Sequence, residues 1–334
     1  MTENKHINYF KIENFKRFES LEVQDIGQFN LIVGDNNVGK SSLLEALLVN
    51  EEGQVFIESL YYVLTFIKKF DKLSLVPNGF LNYFLCDKST KRNPLLTFKT
   101  DGISGTSAFL LERRENYNDQ FIWNSSGNAN IISTNLNHPY SRIQLTIPFI
   151  PLGYAYDHDI TNHYSSTIQL SSSKKEIFIK GLKNILPSLK SIEVNASISS
   201  QAVILIGRED MDEVMPLGTF GDGFLKLFRL LISLIVQSNK RLMIDEIDTG
   251  IHYSRMKDFW KTLIQASLDN NVQLFATTHS KECLQYYKEA IEELGLEEKA
   301  RVIRLVEHKD KNVKAYTYTF PQFEQSLDNE NEIR

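Results

Sequence analysis

A phosphate-binding loop is predicted by the segment GDNNVGKSS, residues 34–42. It fits the pattern G-x-x-x-x-G-K-[ST], in which glycines let the backbone curl so that successive N–H groups point at phosphate oxygens. In this pattern Lys40 neutralises the β- and γ-phosphates, and the hydroxyl group of Ser41 binds Mg²⁺. The residues expected to contact the nucleotide here are Gly34, Asn36, Asn37, Val38, Gly39, Lys40, Ser41 and Ser42.

The segments on either side of this loop provide the context that the motif requires. Residues 29–33, FNLIV, form an apolar run of strand length, and residues 41–48 are rich in helix formers with leucines at helical spacing. A helix that begins near Gly39 adds the positive end of its dipole to the phosphate site. A chance match in an ordinary Gly/Asn turn would not predict both flanking elements.

An acidic pair follows a second apolar strand, where Leu242-Met243-Ile244 runs into Asp245 and Glu246. Enzymes with a phosphate-binding loop place such a pair opposite the phosphates. Asp245 is then expected to hold Mg²⁺, and Glu246 to polarise the attacking water. Taken alone, the motif is equally well explained by a buried strand followed by an acidic turn.

A glycine-rich turn and a histidine lie on either side of this acidic pair. Gly218, Gly221 and Gly223 precede a long helical pattern, and a glycine turn at a helix N-terminus favours anion binding. Downstream, a strand predicted over residues 272–276 leads to His279, at the edge where open α/β sheets bind ligands. Each feature alone also fits an ordinary turn. Between the two strands, residues 256–264 show the spacing of a core-facing crossover helix.

In their order and spacing, GDNNVGKSS, GTFGDG, LMIDEID and TTHS resemble the motifs of ABC-type ATPase heads. They are similar in particular to the stand-alone bacterial ATPases of the overcoming-lysogenization-defect (OLD) group. Relatives of that group act in phage defence, among them the ATPase subunits of Septu- and PARIS-like systems. The opening segment YFKIENFKRFES also fits, and the resemblance covers residues 8–50 and 210–320. It implies an α/β fold of the P-loop NTPase class, with a mixed sheet flanked by helices and an inserted helical/β segment.

The resemblance also implies roles for individual residues. Lys40, Glu246 and His279 would be catalytic, Ser41 and Asp245 would bind Mg²⁺, and Asp248 would lie in the loop between the two ATP sites. The turn with Thr219, Gly221 and Gly223 would complete the ATP site of the opposite subunit in a C₂ homodimer. Two further nucleotide contacts stay open: a basic residue, Arg17 or Lys16, and the glutamine loop, for which Gln144 is the candidate. Thr219 replaces the signature serine, unless the alignment shifts by two residues and Gly221 takes that place. His252 is either an interface residue or a structural one.

The chain organisation follows from the positions of these motifs. Residues 1–50 and 200–320 are expected to form one ATPase head, and residues 51–199 an insertion plus the antiparallel part of the head. Within the insertion the pattern predicts a helix over 55–70, short strands over 96–147 and a helix that ends before Pro187. Residues 321–334 are expected to form an acidic tail. No heptad pattern is long enough for coiled-coil arms, and no Toprim nuclease segment is expected after the head.

Composition limits the partners and the compartment. The formal net charge is −5, so a nucleic-acid contact would need a local basic patch. The lysines of residues 171–190 are the candidate, although solvated lysines on an amphipathic helix explain them as well. The two cysteines, the polar N-terminus and the absence of a membrane-spanning run favour a cytoplasmic protein.

These observations predict an enzyme that hydrolyses ATP with Mg²⁺ and assembles around ATP as a homodimer or a higher oligomer. Its opening and closing would control a separate effector, with a nuclease in anti-phage defence as the favoured one. Two alternatives remain open: a nucleotide-gated scaffold with little turnover, and a DNA-repair ATPase that binds DNA ends. A nucleic-acid ligand stays open as well, and no membrane partner is expected.

Overall fold

The fold was analysed in a computed structural model of the chain. It describes residues 6–49, 95–100, 107–113, 120–125, 128–133, 149–150, 158–195, 202–238 and 240–328, together with Phe56, Ser59, Leu60, Val63 and Cys86. Most of the helix predicted over residues 55–70 lies outside these residues, as does Gln144.

A mixed six-stranded sheet forms the centre of the molecule, with the strand order β15-β14-β3-β13-β12-β8. Strands β14, β3, β13, β12 and β8 are parallel, and β15 is the antiparallel edge strand. Their bounds are β3 Phe29–Gly34, β8 Phe149–Ile150, β12 Arg241–Ile244, β13 Gln273–Thr277, β14 Ala300–Glu307 and β15 Val313–Thr319. Every residue of β3 and β13 is buried, as expected for strands covered on both faces.

Alternating side chains of these strands divide the core into two layers. Phe29, Leu31 and Val33 of β3 point into one layer, and Ile32 points into the other. The same alternation separates Leu274 and Ala276 of β13 from Phe275.

The larger layer is covered by helices. Six of them are α2 His158–His163, α3 Ser172–Lys183, α4 Asp222–Val236, α5 Tyr253–Asp269, α6 Lys281–Leu294 and α7 Phe320–Asp328. A π-helical turn, Tyr164–Ile168, follows α2, and short 3₁₀ turns occupy Leu217–Phe220 and Glu297–Lys299. Trp260 of α5 and Tyr287 of α6 are fully buried side chains in this layer, with ring centroids 5.0 Å apart.

Helix α1, Lys40–Ala46, lies in the second layer with a six-stranded antiparallel sheet of order β2-β1-β4-β5-β6-β7. Its strands are β1 Ile7–Phe15, β2 Phe18–Val23, β4 Leu95–Thr100, β5 Ser107–Arg113, β6 Gln120–Ser125 and β7 Asn128–Ser133. A three-stranded sheet of β9 Leu189–Asn195, β10 Val203–Arg208 and β11 Met215–Pro216 leads into α4. In the described part of residues 96–147 four of the expected short strands, β4 to β7, are therefore present, and they extend the sheet that begins with β1 and β2.

Two parts of the expected organisation differ from the structure. Residues 321–328 of the expected acidic tail belong to α7, where Phe323 is buried beside Tyr287 and Glu324 forms an ion pair of 3.0 Å with Lys288. Residues of the expected insertion also enter the head: β8 pairs with β12, and Phe178 and Leu182 of α3 are buried in the larger core layer. Chain position alone does not reveal these long-range contacts.

Candidate functional site

The predicted phosphate loop connects the buried strand β3 to helix α1. Gly34 and Gly39 adopt positive φ angles of 142° and 109°, and Asn37 adopts 64°. A Cβ atom on Gly39 would lie 2.7 Å from the Phe18 ring and 2.9 Å from the Cδ atom of Arg17, so the loop is tightly covered there. Asp35, Asn36 and Asn37 are exposed, whereas Val38 is buried. The loop thus leads into the N-terminal end of α1, where the expected phosphate site lies.

Lys40 is 6% exposed and folds back over the loop. Its Nζ atom donates to the carbonyl oxygens of Gly34 at 2.7 Å and Asp35 at 2.8 Å. Burial lowers the pKa of Lys40, while the negative charges of Asp245, Glu246 and Asp35 act in the opposite direction. The loop lysine therefore lies close to the acidic pair.

Asp245 and Glu246 follow β12 directly. Thr277, at the end of the neighbouring strand β13, donates from Oγ1 to Asp245 Oδ1 at 2.7 Å and accepts from the backbone N–H of Glu246 at 2.8 Å. Glu246 adopts a φ of +46°, an uncommon conformation for a residue with a side chain. Its Oε2 atom accepts a hydrogen bond of 3.3 Å from Thr249 Oγ1.

His279 lies on the same side of the sheet as the loop lysine. Its Nδ1 atom is 3.4 Å from Lys40 Nζ, and its side chain is exposed. The preceding Thr278 donates from Oγ1 to Asp248 Oδ1 at 2.6 Å and accepts from the backbone N–H of Ser280 at 3.0 Å. The segment with His279 is thus tied to the loop that follows the acidic pair.

The glycine turn forms the N-terminal end of α4. Gly221 is the residue before the helix and adopts φ +79° and ψ 159°, and a Cβ atom there would meet nothing within 4 Å. Thr219 lies in the preceding 3₁₀ turn, where its hydroxyl group donates to the carbonyl oxygen of Pro216 at 2.8 Å. Both Thr219 and Gly221 therefore stay candidates for the signature position.

Gly223 brings the first turn of α4 against the loop after the acidic pair. A Cβ atom on Gly223 would lie 3.0 Å from the carbonyl oxygen of Gly250. Lys226, one turn further along α4, donates from Nζ to the carbonyl oxygens of Glu246 at 2.8 Å and Thr249 at 3.0 Å. The glycine turn and the Glu246 loop therefore form one packed unit.

The two basic candidates lie in the turn between β1 and β2. Lys16 forms an ion pair with the fully buried Glu45 of α1. The guanidinium group of Arg17 lies 2.5 Å from Glu307 Oε2, at the end of β14. Within the described part of the chain, the Nε atom of Arg17 is buried and has no hydrogen-bond acceptor. Arg17 thus keeps a donor for an anion, whereas Lys16 is engaged with Glu45.

Ser41 and Asp245 are the residues that could bind Mg²⁺. Ser41 would provide a hydroxyl oxygen and Asp245 a carboxylate oxygen. Hard oxygen ligands of this kind suit Mg²⁺, which is usually held by one or two protein groups together with substrate phosphates and water. Both side chains are half-buried; Ser41 lies in α1, and Asp245 directly follows β12. The residues therefore fit the expected ion.

The remaining candidates have simpler explanations. His252 precedes α5, and its Nδ1 atom accepts from the backbone N–H of Ser254 at 3.3 Å, so it caps that helix. The lysine-rich segment forms α3, whose Phe178 and Leu182 are buried and whose lysines 174, 180 and 183 are exposed. This is the solvated face of an amphipathic helix.

Three residues with contacts to the site were missed by sequence reasoning: Thr277, Thr278 and Lys226. The two threonines stand immediately before His279, and their position at the end of a predicted strand beside Asp245 was a usable signal. Lys226 gave a weaker signal, because it interrupts the apolar-rich run of residues 225–236.

Comparison with known proteins agrees with this geometry. Residues 106–284, more than half of the chain, match the family described as "AAA domain, putative AbiEii toxin, Type IV TA system". The chain belongs to this AAA family. Residues 6–93, which include the phosphate loop, match the family described as "AAA ATPase domain".

Two relatives match different fractions of this AAA protein. A Helicobacter pylori protein named "ATP/GTP phosphatase" is 24% identical over 380 residues, which cover 98% of this chain and 99% of that protein. An uncharacterized protein of Methanocaldococcus jannaschii, MJECL10, is 42% identical over 62 residues, which cover 17% of this chain and 28% of that protein.

Solved structures of Smc head domains share the fold. One Smc head, bound to the C-terminal winged-helix domain of ScpA, has a TM-score of 0.59 at 12% identity and covers 94% of this chain and 98% of its own. A second, from Pyrococcus furiosus, has a TM-score of 0.58 at 11% identity and covers 98% of this chain and 100% of its own.

The expected P-loop ATPase fold is thus confirmed, and so is the expected activity: the protein is an ATPase of the AAA/SMC-like type. Within the described ranges, no helix is both long and apolar enough to cross a bilayer.

Proposed function

We propose that this ATPase closes around ATP as a head-to-tail homodimer and that hydrolysis reopens it, so that the two states control a separate effector protein. The observation that carries the proposal is the glycine turn, Gly221–Gly223, which begins with the exposed Gly221 at the N-terminal end of α4. A glycine turn at a helix N-terminus favours anion binding, and this one packs against the Glu246 loop. In the closed dimer it would meet the phosphates held by the partner's loop.

Residues of one chain would perform most of the chemistry. Backbone N–H groups of residues 34–42 and the Lys40 ammonium group would bind the phosphates, and Lys40 would leave its carbonyl acceptors to do so. Glu246 would orient the attacking water and accept its proton, and His279 would donate a hydrogen bond to the γ-phosphate. Ser41 and Asp245 would hold Mg²⁺, which supplies positive charge to the phosphates.

A protein partner is supported by the relatives. The Smc head of similar fold is bound by a domain of another protein, ScpA, and the family description names a putative toxin of a type IV TA system. We propose an effector in trans, with a nuclease in anti-phage defence as the candidate that follows from the OLD-like motifs.

The composite site makes a specific prediction for mixed variants. Lys40→Met removes the phosphate-binding ammonium group but leaves the glycine turn, whereas Gly221→Asp places a negative charge in the turn but leaves the loop. Each variant alone should be inactive. An equimolar mixture should regain about a quarter of the wild-type turnover, since half of the dimers carry one intact site of two.

Two controls accompany the mixture. Glu246→Gln should form dimers on ATP addition and monomers without it, as measured by light scattering after size exclusion. Thr219→Ala should keep near wild-type turnover, because its hydroxyl group is used within its own turn. Absence of complementation, together with monomeric Glu246→Gln in ATP, would refute the composite site. Wild-type turnover no higher than that of Glu246→Gln would instead favour the nucleotide-gated scaffold.

A further inference from the structure

Lys226 is a buried lysine on helix α4, and Asp222 and Arg229 lie one turn to either side of it on the same face. It is 7% exposed, and its neighbours Leu225 and Leu227 belong to the larger core layer. It lies on α4, the helix that begins at the glycine turn, and points to the loop that follows the acidic pair.

The ammonium group of Lys226 spans this loop. It donates to the carbonyl oxygen of Glu246 at 2.8 Å and to that of Thr249 at 3.0 Å. These two residues are also joined through their side chains, since Thr249 Oγ1 donates to Glu246 Oε2 at 3.3 Å. Lys226 therefore fixes the backbone on both sides of the contact that orients the Glu246 carboxylate.

The backbone of Glu246 needs such support. Its φ of +46° is unfavourable for a residue with a side chain and persists only where the surroundings enforce it. Thr277 holds the N–H group of Glu246, and Lys226 holds the carbonyl group. These two contacts therefore determine the direction of the Glu246 side chain.

Burial of the Lys226 ammonium group is energetically unfavourable. Desolvation lowers the pKa of Lys226 to about 8, although Asp248, Cys283, Glu246 and Asp245 favour the protonated form. A methionine or leucine would fill the same place in the core without this cost. Core packing alone therefore does not explain a lysine here.

We propose that Lys226 is a positioning residue for ATP hydrolysis, which holds the Glu246 loop and couples it to the helix that begins at the Gly221–Gly223 turn. The proposal rests on the proposed role of Glu246 as the residue that orients water. Movement of the glycine turn on dimer closure would be transmitted by Lys226 to the backbone that aims the Glu246 carboxylate. The close contact of Gly223 with Gly250 supports the same connection at the other end of the loop.

The test compares Lys226→Met with Lys226→Arg and with Lys288→Met as the matched control. Lys288 is a half-buried lysine on α6, and its ammonium group pairs with Glu292 and Glu324. Lys226→Met should lower kcat about tenfold or more while the Kd for ATP stays within about twofold. Lys288→Met should keep kcat, and Lys226→Arg, which retains the charge, should recover activity relative to Lys226→Met. Thermal unfolding of each variant verifies that it is folded.

A double-variant cycle separates positioning from general damage. If Lys226 acts through Glu246, adding Lys226→Met to Glu246→Gln should not reduce the residual turnover further, as measured with radiolabelled ATP. Independent losses in the cycle, or an unchanged kcat in folded Lys226→Met, would overturn the proposal. Near wild-type turnover of Glu246→Gln would refute the proposed role of Glu246 itself, whatever Lys226→Met does.

Discussion

The hydroxyl group of Thr277 donates a hydrogen bond of 2.7 Å to Asp245 Oδ1. The register of two parallel strands produces this contact, because β13 pairs with β12 as far as Ile244 and Ala276, which places the next residue of each strand side by side. Thr277 is fully buried, and its oxygen also accepts from the N–H group of Glu246. One hydroxyl group therefore orients the proposed Mg²⁺ ligand and the backbone of the proposed water-orienting residue.

Replacement of Thr277 by valine should lower turnover in a protein that still folds. Valine has nearly the same shape but leaves the Asp245 oxygen and the Glu246 N–H group without this partner, at a cost of about 1–3 kcal/mol in unfolding free energy. We expect kcat to fall about tenfold and the Mg²⁺ concentration for half-maximal activity to rise. Thr277→Ser keeps the hydroxyl group and should retain most activity. Unchanged Mg²⁺ dependence in a folded Thr277→Val protein would contradict this role for Thr277.

Two glycines near the site should respond differently to an added methyl group. Gly39→Ala introduces a Cβ atom 2.7 Å from the Phe18 ring at a φ of +109°, whereas Gly218→Ala meets nothing within 4 Å. We expect the first to lose about 1–3 kcal/mol of unfolding free energy together with ATP binding, and the second to change by less than about 0.5 kcal/mol. Denaturant unfolding and nucleotide titration measure both effects. Equal stability of the two variants would show that the loop relaxes around the added methyl group.

The ion pair of Arg17 with Glu307 should compete with ATP for Arg17. Both side chains are partly exposed, so the pair is expected to contribute only about 0–1 kcal/mol to stability. Glu307→Gln should therefore raise ATP affinity a few-fold with little change in thermal stability, and Arg17→Gln should lower it. Because Glu307 would act only through Arg17, the double variant should bind ATP as Arg17→Gln does. Glu13→Gln, which removes the exposed ion pair between Lys11 and Glu13, is the control.

Local sequence patterns predicted much of the parallel sheet and the phosphate loop. These patterns depend on residues that are near each other in the chain. They are the glycine spacing, the apolar strands before Gly34 and Asp245, and the crossover helix. These patterns also indicated which side chains gather at the carboxyl edge of the sheet, because parallel strands end at the same edge.

Contacts between segments that are far apart in the sequence could not be predicted from local patterns. The pairing of β8 with β12 and the burial of Phe323 beside Tyr287 depend on how separate elements pack. The role of the β1–β2 turn as a cover over Gly39 likewise needs the three-dimensional position of Phe18. Lys226 illustrates the same limit: the sequence shows a lysine in an apolar-rich run, but its partners are carbonyl groups, which the residue pattern does not reveal.

Stability should also depend on pH through Lys226. Its pKa is lowered from 10.5 to about 8 in the folded protein, so the unfolded chain binds more protons between these two values. The free energy of unfolding of the wild type, measured relative to that of Lys226→Met, should therefore rise as pH increases from about 8 to 10.5. The total gain should be about 3 kcal/mol, and no such gain should appear below pH 8. Comparison with Lys226→Met removes the contributions of groups that titrate in both proteins. A difference that stays constant from pH 7 to pH 10.5 would mean that the ammonium group keeps its usual pKa, because the carbonyl oxygens of Glu246 and Thr249 offset its burial.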